Sequence, residues 1–162
     1  IGPQEDLHLF YRIDNGTTCD LRHIVRNQTS GLWQYDEKIL EFGPTGECGG
    51  SILELTADPL GNFYIGYRKT VEGAGILYLA SFDGSSLSEE PVVTAAAHNV
   101  DAVNIVSDGL TVTILYVDRT NPSVLAIRNA TKDLTTSQWE STYQNSDFNE
   151  SFTRDATALS NL

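Results

Sequence analysis

FYIGYRK (Phe63–Lys69) and GILYLASF (Gly75–Phe82) decide the fold. Both runs are strand-length, rich in aromatic and branched side chains, and too apolar for a loop, so they read as two strands of a buried sheet. The same pattern recurs outward in both directions. LHLFYR (7–12) and LRHIVRNQT (21–29) lie upstream, VTILYV (112–117) and VLAIRNAT (124–131) downstream. Asn15-Gly16, Asp83-Gly84, Asp108-Gly109 and Asn121-Pro122 punctuate them as turns. VVTAAAHNVDAV (92–103) and DLTTSQWESTYQ (133–144) tolerate a helix, but neither carries a capped i, i+3, i+4, i+7 apolar stripe. Both are expected to be strand and loop, and the chain all-β.

The runs form a repeat. Tyr11, Tyr67 and Tyr116 anchor three units, 56 and 49 residues apart, a spacing of the kind that propeller blades of several strands produce. One apolar strand position per unit makes these tyrosines core residues. VRNQT (Val25–Thr29) matches IRNAT (Ile127–Thr131), and each is followed by a tryptophan, Trp33 and Trp139. On that match Asn27 and Asn129 are equivalent. An opening strand precedes the second and third anchors, SILELTADPLGN (51–62) and DAVNIVSDGL (101–110), whereas only IGPQED precedes the first. FTRDATALSNL (152–162) resembles those opening strands. The expectation is one repeat domain over 1–162, with units of about 1–50, 51–100 and 101–150 and residues 151–162 as the strand that completes the first blade. A propeller needs at least four blades, so three imply a six-bladed ring of two copies, a piece of a longer chain, or a head-to-tail polymer built by strand addition.

Charge and cysteines narrow the setting. Ten Lys and Arg against 22 Asp and Glu give a net charge of −12 with no acidic block, which argues against nucleic acid and acidic membrane surfaces as partners. No apolar run approaches the roughly 20 residues that span a bilayer, so membrane insertion is not expected. Sequons at Asn15, Asn27, Asn129 and Asn149 point to an N-glycosylated chain that is secreted, and a start at Ile1 with no methionine to a terminus that follows a removed signal peptide or lies inside a longer precursor. Cys19 and Cys48 are the two cysteines. In an oxidising compartment their bridge would close a loop of about 30 residues and contribute about 3 to 4 kcal/mol. Two free thiols are the competing reading.

LHLFYRIDNGTTCDLRH, LW and GGSILEL resemble the blade pattern of the six-bladed fungal and bacterial fucose-binding lectins. That resemblance implies a β-propeller and sugar held by an Arg, a Glu and a Trp per blade. The family's Arg position falls on His8, Tyr64 and Thr113, and its Glu position near Asp20 and on Gly75 or Ser123. Only the first unit keeps a polar pair, His8 with Asp20, beside Trp33. The carbohydrate site expected is therefore His8, Asp20 and Trp33, with Trp139 as the repeated stacking residue.

Other chemistry finds less support. His8, His23 and His98 lack metal-ligand spacing, and His8 and His23 are expected on neighbouring strands. The string SFDGSSL (Ser81–Leu87) reads as an Asp-Gly hairpin turn. Neither a metal, a cofactor nor a catalytic set is expected. The leading expectation is a lectin-like extracellular glycoprotein whose blades self-associate and bind glycans. The alternative is a structural subunit of an extracellular filament, sheath or surface layer assembled by strand exchange.

Overall fold

A computed structural model describes residues 6–44, 53–71, 74–92, 100–118 and 126–144. Among them the chain is all-β, with no helix, and its strands form three antiparallel sheets, none closed into a barrel. The first sheet holds β1 (Leu7–Asp14), β2 (Thr18–Arg26) and β3 (Trp33–Pro44). The second holds β4 (Leu53–Ala57), β5 (Phe63–Val71), β6 (Ala74–Phe82) and β7 (Leu87–Pro91). The third holds β8 (Val100–Ser107), β9 (Thr111–Asp118), β10 (Ala126–Asp133) and β11 (Trp139–Gln144). Each is a meander in which neighbours in sequence are neighbours in space.

Turn chemistry closes the hairpins. Asp58 and Asp108 each accept two backbone N–H bonds on Oδ1, from Leu60 and Asn62 and from Leu110 and Thr111. Asp83 and Asp133 do the same two connections later in their sheets, and Asn27 takes the Ser30 N–H at the corresponding turn of the first. A short side chain that bonds its own turn in this way is why Asp and Asn punctuate the strands. SFDGSSL is indeed such a turn, between β6 and β7. At Gly109, φ is +87° and a Cβ would stand 3.3 Å from Pro59 Cδ, so glycine lets the third sheet's turn approach the second's.

Register fixes which faces meet. Tyr11 pairs with Arg22, Tyr67 with Tyr78, and Tyr116 with Arg128. Strand alternation then places Phe63, Ile65 and Tyr67 on one face of the second sheet, with Phe82 and Ala80, and Tyr64, Leu77 and Leu79 on the other. The tyrosine-bearing face packs on the first sheet: Ile65, Tyr67 and Ala80 cluster with Cys19, Leu21, Leu40 and Phe42. The opposite face packs on the third, where Tyr64, Leu77 and Leu79 meet Ile105, Val112, Ile114, Tyr116 and Ala130. The three sheets are thus stacked in chain order, and the second is covered on both sides. Tyr67 and Tyr116 are core, as expected, but Tyr11 is only half-buried and donates its hydroxyl to Asp36 at 2.8 Å.

One repeat match is corrected. Trp33 and Trp139 do correspond, each opening the last strand of its meander, yet Asn27 and Asn129 do not. Asn27 sits in the turn after β2, where its N–H bonds Leu32 O. The residue that makes the same bond in the third sheet, to Gln138 O, is Asp133. Asn129 lies inside β10, opposite Leu115. The matched strings stand at different distances from their tryptophans, because β10 continues four residues beyond Asn129.

Candidate functional site

Two kinds of surface are candidates: a cleft where sheets meet, and the two sheet faces that meet no other sheet among the described residues. The cleft, about 500 Å³, opens between the second and third sheets at the end of their turns. Asp58, Asn62, Tyr64, Ser81, Ser88 and Thr135 contribute its polar lining, and Phe82, Leu87 and Leu134 its apolar part.

Asp58 organises that lining. Its Oδ2 accepts Asn62 Nδ2 at 2.8 Å and the Tyr64 hydroxyl at 3.1 Å, in addition to the two turn amides on Oδ1. Burial pushes its carboxyl up, but these donors outweigh it and hold the group below its ordinary value. Burial and the adjacent carboxylate push the Tyr64 hydroxyl up to about 12, so it stays protonated. With its lone pairs engaged, Asp58 shapes the cleft. The serine and threonine hydroxyls are the groups suited to exchange hydrogen bonds with a polyhydroxylated ligand.

At the corresponding end of the first and second sheets stands a histidine pair. His8 Nδ1 and His23 Nε2 are 2.9 Å apart, on neighbouring strands as expected, within rings of Phe10, Phe63 and Phe82. One ring must donate and the other accept, so both cannot be cationic. Burial lowers both pKa values, with His8 adding to the effect on His23. His23 is buried, and its Nδ1 has no hydrogen-bond partner, with a Glu37 carboxylate oxygen 3.7 Å away. Among the described residues no group of three His, Cys, Asp or Glu side chains converges as a metal site would require.

The residues expected to hold sugar are not brought together. His8 shares its face with Phe10 and His23, toward the second sheet, while Asp20 pairs with Ile13 on the opposite face. There Asp20 is buried among Thr18, Asn15 and Lys38. Trp33 shares that opposite face but lies at the far end of the sheet, beside Arg26. Trp139 is half-buried at the contact of the second and third sheets: its Nε1 donates to Glu90 at 3.3 Å, and Lys132 both bonds Glu90 and lies over the indole. Cys19 is fully buried at the start of β2, while Cys48, Asn149, His98, Ser123 and the expected closing strand lie outside the described residues.

The uncovered faces are the feature that sequence reasoning missed. Leu7, Leu9 and Tyr11 occupy the register positions of Phe63, Ile65 and Tyr67, and of Val112, Ile114 and Tyr116. Those six are buried, but Leu7 and Leu9 are 49% and 47% exposed. Ile13 and Trp33 are exposed on the same face, and half-buried Ile24 completes the patch. Among the described residues no sheet packs on the other side of the third, where half-buried Leu115, Val117 and Ile127 and exposed Val106 stand with Thr113, Thr131 and Asn129. Among the described residues β1 pairs with β2 alone, whereas β5 and β9 are paired on both sides. The signal was present in the sequence as alternation in LHLFYRI that leaves Leu7, Leu9 and Ile13 on one face.

A comparison with models of known protein families matches none, and a comparison with curated proteins finds no significant relative.

Proposed function

We propose that the chain is a self-associating, propeller-type extracellular protein, and that the assembly it forms is its function. The observation carrying this reading is that each internal contact joins a tyrosine-bearing face to the opposite face of the preceding sheet, while among the described residues one face of each kind, at the two ends of the stack, meets no further sheet. The two bare faces differ, so their pairing is heterologous. It propagates copy by copy, closing into a ring where the rotation allows it and into a filament where it does not. An apolar patch of this kind is also what marks interaction surfaces.

Charge placement favours the same partner. Between the second and third sheets, Lys132 and Trp139 clamp Glu90. Arg26 and Trp33 occupy the corresponding positions on the bare face of the first sheet. Glu140, exposed on the bare side of the third, stands within one strand pleat of the position matching Glu90 and gives the arginine a carboxylate to meet.

A second reading, lectin-like carbohydrate binding within such an assembly, is favoured by the hydroxyl-lined cleft at Tyr64. The positions matching Tyr64 are His8 and Thr113, so the polar set changes from sheet to sheet. This ranks the structural role first.

Light scattering behind size exclusion tests the proposal over a concentration series. Growth from single copies to defined multiples, weakened by Trp33→Ala and by Glu140→Lys, is expected. A single-copy species at every concentration, in chains that carry no N-glycan, refutes it.

A further inference from the structure

The bare face of the third sheet carries an N-glycosylation sequon at its centre. Asn129-Ala130-Thr131 lies within β10, and Asn129 pairs with Leu115. By register Asn129 stands where His23 stands in the first sheet and Leu79 in the second. Both of those side chains are buried, 2% and 1% exposed, against the sheet that follows. Asn129 itself is half-buried, on the side of the third sheet where, among the described residues, no sheet follows.

We propose that a glycan on Asn129 caps the stack, so that occupancy of this one sequon decides whether the third sheet accepts another copy. The inference rests on the self-association reading. Facing sheets pack about 10 Å apart with their side chains interdigitated, which leaves no room for a branched oligosaccharide at the middle of the interface. The modification is made on Asn Nδ2 and leaves a bulky polar group. Its site therefore matters more than its presence. The sequon threonine does not obstruct this: Thr131 Oγ1 lies 3.0 Å from Thr113 Oγ1 on the same bare face.

The other described sequons sit elsewhere. Asn27 is in the β2–β3 turn, where its Oδ1 holds the Ser30 N–H. Asn15 is in the β1–β2 turn, with Nδ2 donating to Thr18 and Asp20. Both turns lie at strand ends, off the centre of the bare faces, so glycans there leave the junction open. Three chemically identical modifications are thus expected to have different consequences according to face and position.

The test uses the full chain made in a glycosylating secretory host, with occupancy at each sequon mapped by peptide mass spectrometry and assembly read by light scattering. Expected is that Asn129-occupied chains add no copy at the third sheet and remain single or terminate growth. Asn129→Gln should raise the assembled fraction at least tenfold at equal concentration. Thr29→Ala, which removes the Asn27 sequon but keeps the Asn27 turn bond, should change assembly less than twofold. Assembly of occupied chains equal to that of Asn129→Gln overturns the inference while leaving self-association intact. So does a secreted product in which Asn129 carries no glycan. Failure of Asn129→Gln and of wild type alike to associate overturns both.

Discussion

Leu9 and Ile65 occupy the same register position in consecutive sheets, and truncating each to alanine separates folding from assembly. Ile65 is fully buried between the first and second sheets. Removing its branched side chain should cost about 2 to 5 kcal/mol of folding stability, the usual range for a large-to-alanine change in a packed core. Leu9 is 47% exposed, so within a single copy about half of the roughly 1.5 to 3 kcal/mol available from burying a leucine is realised, and Leu9→Ala should cost about 1 kcal/mol there. The other half is realised only when a partner covers the face. A further 1 kcal/mol at the junction corresponds to about a fivefold weaker association. Denaturant unfolding followed by circular dichroism in dilute solution gives the first quantity, and sedimentation over a concentration series gives the second. If Leu9→Ala destabilised the dilute chain as much as Ile65→Ala, or left association unchanged, the assignment of Leu9 to an intermolecular face would fail.

Other positions give sharper local outcomes. Asp58→Ala removes the acceptor for four hydrogen bonds around the cleft and should lower stability by about 2 kcal/mol, read as an earlier urea midpoint with an unchanged slope. The histidine pair makes stability depend on pH. Both folded pKa values lie below the ordinary 6.5, so the unfolded chain binds protons first. The contribution is complete above about pH 6.5 and is lost as pH falls from there toward the lowered folded values. His8→Gln should flatten that slope in melts taken between pH 7 and 5, and an unaltered slope would remove the pair as its source. A non-reducing peptide map should join the Cys19 and Cys48 peptides, and reduction should cost about 3 kcal/mol. Two alkylatable thiols in the native secreted protein would exclude the bridge.

Strand content was readable because the signals are local. FYIGYRK and GILYLASF could be nothing but strands, and Asp and Asn at their ends bond their own turns. Among the described residues the first sheet has three strands and the other two have four. What failed depended on register. VRNQT and IRNAT looked equivalent, but equivalence is set by the Tyr11–Arg22 and Tyr116–Arg128 pairings, which put Asn27 in a turn and Asn129 in a strand. The expected sugar residues stand apart for a related reason. His8 and Asp20 are close in a hairpin, yet a period of two sends them to opposite faces. The cleft was missed because Asp58 reads as a turn residue, and its second oxygen reaches Tyr64 only in the folded sheet.

Negative-stain electron microscopy of the Asn129→Gln chain, across dilutions, tests the central claim most directly. Closed rings or regular filaments whose repeat is the three-sheet stack are expected, dispersing into single stacks on dilution. Isolated single stacks at every concentration would contradict it.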